Sequence, residues 1–168
     1  MLKERRQLFV GLFMGADMAV LTIAWTLAYM LRFHWPIFPV TKGTPPVGAY
    51  ILLLPLICLI WVLVFRGAGL YGVMRGQPVA RERSLVIRAS SLAMLVFTAV
   101  SFVGIEKDFS LSRLTLLNFY LLATGLLILE RATLREVLRE ARRRGFNLRH
   151  VLIVGDGELG RSVADRLS

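Results

Sequence analysis

Four long apolar stretches constrain the fold of this sequence more than any other feature. They cover residues 8–31, 49–65, 85–103 and 114–129. At about 1.5 Å per residue, the first would form a helix of roughly 36 Å, enough to cross a hydrocarbon core of about 30 Å with some tilt. The sequence therefore predicts an all-α membrane protein in which residues 1–130 form a bundle of four transmembrane helices. Pro55 is expected to kink the second helix.

The basic residues indicate which partners and which orientation this bundle has. The formal net charge is +10, but the arginines flank apolar stretches and do not alternate with stacking aromatics, which argues against nucleic acid as a partner. Of the Lys and Arg residues in the loops and flanking segments up to Arg149, 14 lie before the first stretch, between the second and third, or after the fourth, and four lie in the other two loops. This asymmetry predicts that both termini are cytoplasmic.

Few side chains outside the loops are candidates for chemistry. Cys58 is the single cysteine, so neither an intrachain disulfide nor a zinc site is expected. Asp17 lies deep in the first stretch, and an intramembrane carboxylate is a functional hypothesis by default. The alternative is a structural contact to a hydroxyl, a backbone group or Arg88, which itself can reach the headgroups. We expect the structural contact, and predict no catalytic residue and no metal site.

The segment from residue 131 to 148 is predicted to be a basic juxtamembrane helix that continues the fourth span without a break. No Pro or Gly occurs between Glu130 and Arg144. An apolar stripe comprises Leu134, Val137, Leu138 and Ala141, and a basic stripe beside it comprises Arg131, Arg135, Arg139 and Arg142. Such a helix either lies near anionic phospholipid headgroups or docks its apolar stripe on a soluble domain; the pattern leaves both open.

Residues 149–168 are predicted to begin an incomplete Rossmann-like α/β domain. A β-branched-rich run at residues 151–154 precedes the turn Gly155-Asp156-Gly157-Glu158-Leu159-Gly160. In this strand–turn–helix context, the pattern is typical of a phosphate-binding turn. Its three glycines, Gly155, Gly157 and Gly160, are the predicted cofactor-binding residues. Two acids within the turn disfavour a pyrophosphate, so a turn that binds no ligand remains an alternative.

Together, these features resemble the N-terminal half of the polyisoprenyl-phosphate hexose-1-phosphate transferases, which are the large bacterial phosphoglycosyl transferases. The matching residues are Asp17, Arg32-Phe33, Gly69-Leu70-Tyr71, Phe109-Ser110, Ser112-Arg113, Arg144 to Arg149 and Gly155 to Arg161. The family usually has Phe-Ser-Arg contiguous, whereas Leu111-Ser112 interrupts that motif here. The resemblance covers essentially the whole chain.

The resemblance implies transfer of a sugar phosphate from a UDP-sugar to undecaprenyl phosphate, in exopolysaccharide, capsule or O-antigen synthesis at the bacterial inner membrane. It implies Mg²⁺ in a catalytic domain that has no counterpart in this chain, so no cofactor is expected within the chain itself. The expected partners are the lipid bilayer, anionic headgroups and, for a full-length protein, polyprenyl phosphate and the UDP-sugar. A homo-oligomer remains open.

Two other functions remain open at this point. The first is the N-terminal part of a membrane-bound NAD-dependent nucleotide-sugar 4,6-dehydratase or epimerase, whose sequences are similar up to the glycine-rich turn. The second is a non-enzymatic membrane scaffold. The sequence favours the transferase because of Glu158 to Arg161 and the Arg-Arg-Gly lead-in.

Overall fold

The computed structural model describes residues 2–35, 44–72, 79–104 and 111–143, all of them helices and short connections. The helices are α1 (Leu2–Phe33), α2 (Val47–Ile51), α3 (Leu54–Gly67), α4 (Val79–Gly104) and α5 (Arg113–Arg143). They supply four segments long and apolar enough to cross a membrane: Val10–Phe33, Val47–Gly67, Val79–Phe102 and Arg113–Val137. The prediction of a multi-pass, all-α membrane bundle is confirmed. No strand occurs in the described ranges, and the predicted Rossmann-like segment at 149–168 lies outside them.

The helices are longer than the apolar stretches that predicted them. The fourth span covers 25 residues instead of about 16, since α5 starts at Arg113 and runs for 31 residues. The prediction that this span continues without a break is confirmed up to Arg143. Hydropathy identifies only the apolar part of a helix. Arg, Glu and Leu are all good helix formers, so the helix continues beyond that part into a charged sequence.

The second span consists of two helices where one kinked helix was predicted. Helix α2 ends at Ile51 and α3 begins at Leu54, with Pro55 in its first turn. Proline lacks the N–H that the Ile51 carbonyl would need, and its fixed φ suits a first turn, so the chain restarts its helix there. Next to this break, the carbonyl of Tyr50 accepts hydrogen bonds from Leu53 N at 3.3 Å and from Trp25 Nε1 at 2.8 Å.

An aromatic cluster forms the centre of the bundle. Trp25 stacks on Tyr50 with ring centroids 5.3 Å apart, and meets Phe97 and Phe119 edge to face at 5.9 and 5.0 Å. Trp61 contacts Phe119 at 5.3 Å. These rings come from all four spans. Because lipid is as apolar as the core, such close packing holds membrane helices together where the hydrophobic effect cannot.

The outside of the bundle is apolar, as a lipid-facing surface requires. Phe102 is 90% exposed, and many aliphatic side chains project outward in the same way, among them Leu52, Leu63, Leu95 and Leu121. A soluble protein rarely exposes so much contiguous apolar surface. The surface therefore agrees with the helix lengths in indicating a membrane environment.

The chain divides into two compact units, Met1–Thr133 and Leu134–Ser168. The four spans belong to the first unit, apart from the last four residues of the fourth. Of the second unit, the structure describes the end of α5 alone. The predicted domain boundaries at residues 130 and 148 remain a prediction.

Candidate functional site

The candidate site is a buried ion pair between the first and the last span. Arg131 Nη2 on α5 donates to Asp17 Oδ2 on α1 at 2.8 Å. Asp17 is 1% exposed and Arg131 is 4% exposed, so both charges have left water. Removing two ions from water costs several kcal/mol per ion, and only a short, well-oriented contact offsets this cost. Each charge therefore depends on the other.

Further contacts of the Arg131 guanidinium fix its position. Arg131 Nη1 donates to the carbonyl of Leu70 at 3.1 Å. The guanidinium carbon also lies 5.6 Å from the ring centroid of Phe13 and 5.8 Å from those of Phe65 and Tyr71. Aromatic faces attract a cation, and more strongly where water is excluded. The arginine thus joins α1, the end of α3 and α5 at one end of the bundle.

The turn after α3 presents the Leu70 carbonyl and the Tyr71 ring to this arginine. Gly69 has a φ of +75° and donates to Arg66 O at 3.1 Å, while Leu70 N donates to Phe65 O at 3.0 Å. This pair of bonds around a left-handed glycine is a Schellman motif, and the buried Phe65 and Leu70 occupy the positions that usually make its apolar contact. The Gly69-Leu70-Tyr71 sequence is therefore the helix stop that shapes the site.

Replacing Gly69 with Ala should lower the free energy of unfolding by about 1–2 kcal/mol, since an L-residue is strained in the left-handed region. No atom lies within 4 Å of a Cβ built there, so conformational strain is the sole cause. Gly67→Ala is the matched control: its Cβ position is equally open, but it lies inside α3, where Ala is favoured over Gly. Denaturant titration in detergent micelles measures both. An equal response from the two variants would contradict the assigned role of the turn.

Two more polar groups adjoin Asp17 without a hydrogen bond of regular geometry. Four buried oxygen atoms make no hydrogen bond that meets the usual limits of distance and angle: Asp17 Oδ1, both carboxylate oxygens of Glu130 and the hydroxyl oxygen of Tyr71. Glu130 and Tyr71 nevertheless both interact with Asp17. Tyr71 lies just beyond the second span. Burial, and secondly the charge of Asp17, raise the pKa of its hydroxyl above the usual range. Tyr71 therefore remains a neutral hydrogen-bond donor.

The predicted structural contact of Asp17 agrees with this geometry, and the Tyr71 hydroxyl is a partner of the predicted kind, but the predicted cation is wrong. The carboxylate pairs with Arg131 and not with Arg88, which is exposed on α4. Assigning Arg131 to the exposed basic stripe was therefore wrong. Of that stripe, Arg139 is exposed and pairs with Glu136 at 2.9 Å. The sequence did carry a signal for the ion pair, since Arg131 lies two residues after the fourth apolar stretch and Asp17 needed a cation.

The opposite end of the bundle brings two of the matching motifs together. Arg32 Nε, at the end of α1, donates to Ser112 Oγ, just before α5, at 3.3 Å. Nearby in sequence, the hydroxyl of Tyr29 donates to Pro45 O at 2.9 Å. These bonds attach both loops at this end to α1, which gives the Arg32-Phe33 and Ser112-Arg113 motifs a structural role.

The described ranges contain no group of three or more His, Cys, Asp or Glu side chains able to hold a metal ion. They thus offer no fit for the Mg²⁺ that the resemblance implies, and no chemical step involving Mg²⁺ is assigned to them. The three predicted cofactor-binding residues, Gly155, Gly157 and Gly160, lie outside the described residues. What the described part provides is a buried cluster of Asp17, Glu130, Arg131 and Tyr71 that joins the first, second and fourth spans.

Comparison with known families gives a match over more than half of the chain. The family model of a CoA-binding domain matches residues 66–166, and this domain is found in sugar transferases. The match begins at the end of α3 and includes both the Gly69-Leu70-Tyr71 turn and Arg131. No curated protein and no solved structure matches the chain.

Proposed function

Because the chain belongs to the CoA-binding domain family through residues 66–166, we propose that it is the membrane-anchoring and linker region of a bacterial sugar-1-phosphate transferase. The transferase moves a phosphosugar from a UDP-sugar to undecaprenyl phosphate for exopolysaccharide, capsule or O-antigen synthesis. The observation that carries this proposal is the combination of that domain with four candidate membrane spans. A lipid-linked acceptor requires an enzyme held at the bilayer surface.

The described residues contribute position rather than chemistry to this reaction. The sugar phosphate leaves UMP and joins the phosphate of the acceptor, so a polyprenyl diphosphate sugar forms as UMP departs. Helix α5 continues from the fourth span to Arg143 and leads toward residues 144–168, where the glycine-rich turn at Gly155, Gly157 and Gly160 would take a phosphate group. The ion pair of Asp17 and Arg131 attaches α5 to α1 within the membrane bundle.

The nucleotide product tests this function. Membranes from cells that express the gene encoding this chain would be incubated with a panel of UDP-sugars, undecaprenyl phosphate and Mg²⁺. We expect release of UMP and a lipid-linked sugar, and neither in membranes that lack the gene. A 4-keto sugar still attached to UDP, formed with NAD, would favour the dehydratase instead. Absence of both products with every sugar would favour a non-enzymatic scaffold.

The exposed end of α5 supports a role for anionic lipids in the same proposal. Arg139 is 53% exposed on its side chain and pairs with Glu136 at the surface, while Val137 beside them is also exposed. Basic and apolar side chains side by side suit the interface of an anionic leaflet. In this position, the helix would hold the following domain close to the acceptor phosphate.

Both chain termini are proposed to face the cytoplasm of a bacterial inner membrane, where UDP-sugars are made. In a Cys58→Ser background, a cysteine at Thr44 or Lys107 should react with an impermeant maleimide added from the periplasmic side. A cysteine at Gln77 or Gly145 should react only after the membrane is opened. The reverse pattern at any of these loops would refute the orientation inferred from the 14 and four basic residues.

A further inference from the structure

The charges of the buried cluster do not balance if all its groups are ionised. Asp17 and Glu130 would contribute two negative charges, and Arg131 contributes one positive charge. The carboxylate oxygens of Glu130 are buried, and the carboxyl group adjoins Asp17. One net negative charge would then be held away from water without a counter-ion, which is strongly unfavourable.

The hydrogen-bonding groups of the cluster are also unbalanced, with more acceptors than donors. Two ionised carboxylates would face each other as acceptors, since neither has a proton to donate. Asp17 Oδ1 and both oxygens of Glu130 lack a hydrogen bond of regular geometry, although Asp17 and Glu130 interact. A proton on one carboxyl group converts this repulsive contact into an O–H···O⁻ bond, which is among the stronger hydrogen bonds in proteins.

We propose that Glu130 is a proton-binding site, which holds one proton at neutral pH and donates it to Asp17 Oδ1. The proton resides on Glu130 because Asp17 already has the Arg131 guanidinium at 2.8 Å, and a cation at that distance favours the ionised form of a carboxyl group. With Glu130 protonated, the cluster is neutral overall and each carboxyl group has a hydrogen-bond partner. Loss of the proton sets two carboxylates against one arginine and weakens the contact between α1 and α5.

The charged groups around Glu130 come from several elements. Asp17 lies on α1, Tyr71 follows α3, and Arg131 is adjacent on α5. Outside this group, Glu82 near the start of α4 is another buried carboxyl group, with interactions of its own. Since Tyr71 stays neutral, it does not alter the charge count. Glu82 is the appropriate control because it is a second buried carboxyl group that the proposal does not use.

Infrared difference spectroscopy of the full chain in lipid nanodiscs tests the proposal. A shift from pH 7 to pH 9.5 should reduce the carbonyl stretch of a protonated carboxylic acid in the wild-type protein. Glu130→Gln should abolish this band, and Glu82→Gln should retain it. Loss of the band in Glu82→Gln but not in Glu130→Gln, or its absence from the wild-type protein, would overturn the proposal.

Thermal unfolding provides a second readout. The wild-type Tm should fall by roughly 2–8 °C as the pH rises from about 5 to 9.5, since the unfolded chain releases this proton near pH 4 and the folded protein only at higher pH. Glu130→Gln carries no ionisable group at this position, so its Tm should stay near the wild-type value at neutral pH and lose this pH dependence. Equal slopes for the two proteins would overturn the proposal, as would a Tm of the wild type that depends on the Na⁺ concentration at fixed pH.

Asp17→Asn separates this proposal from a purely structural role for Glu130. With Asp17 neutral, Glu130 should ionise and take over as the counter-ion of Arg131, so the infrared band should disappear although Glu130 is present. The Tm should fall only modestly. The double variant Asp17→Asn/Glu130→Gln leaves Arg131 without an anion in the cluster, and its Tm should fall by more than the two single changes combined. Strictly additive effects would contradict the proposal.

Discussion

Replacing Arg131 with Ala should lower the free energy of unfolding of the bundle by about 3–5 kcal/mol, the usual cost of removing one partner of a buried ion pair. The change leaves Asp17, which is 1% exposed, without a cation, and the Leu70 carbonyl without its 3.1 Å donor. The three aromatic rings around the guanidinium lose a contact as well. Reversible unfolding in mixed detergent micelles would measure the loss, which should shrink at acidic pH as the carboxyl groups become protonated.

Arg139→Ala is the matched control on the same helix. Its partner Glu136 lies 2.9 Å away, but both side chains are more than half exposed, and exposed pairs contribute about 0–1 kcal/mol. A second comparison is the variant Asp17→Leu/Arg131→Met, which removes both charges together and should recover much of the loss. If Arg131→Ala proved no more damaging than Arg139→Ala, the ion pair would not hold the bundle together.

Phe97→Ala should cost about 3 kcal/mol of bundle stability, at the lower end of the range for phenylalanine truncation in soluble cores. Phe97 is fully buried and contacts the Trp25 ring edge to face at 5.9 Å. In a bilayer the hydrophobic transfer part of that range is small, since the surrounding lipid is apolar too. What remains is the cavity and the lost van der Waals contacts with its neighbours.

Phe102→Ala is the control for this change, with the same residue type one and a half turns further along α4. Phe102 is 90% exposed, so lipid chains contact its ring and can fill the space it leaves. Its truncation should change the free energy of unfolding by less than about 0.5 kcal/mol. A comparable loss from both variants would mean that the aromatic cluster does not determine bundle stability.

The sequence predicts the spans because hydropathy is a local property with a length requirement set by the bilayer. The unbroken α5 could be predicted in the same way, since no Pro or Gly occurs after Glu130 until Gly145. Pro55 was correctly recognised as a break but assigned the wrong form. Whether a proline kinks a helix or starts a new one depends on the contacts around it, and here Trp25 Nε1 donates to the carbonyl of Tyr50 beside the break.

The site itself could be predicted only in part. Asp17 stands out because a carboxylate in an apolar stretch is costly, and the structure gives it a buried contact, to Arg131. Its partner depends on the rotation of α5 about its own axis and on its depth relative to α1, which neither stretch encodes locally. Arg131 also fits a regular basic stripe with Arg135 and Arg139, so periodicity gave no reason to separate it. The fold, rather than the spacing, distinguishes the buried Arg131 from the exposed Arg139.

The ion pair also has a consequence for the order in which the protein is made. Asp17 and Arg131 are 114 positions apart, so at 5–20 residues per second the ribosome reaches the arginine roughly 6–23 s after the acid. During that interval the first span is inserted with an acidic group whose counter-ion has not yet been translated. A chain that stops before the last span would retain this group without its counter-ion. The pair therefore links the final packing of the first helix to completion of the fourth.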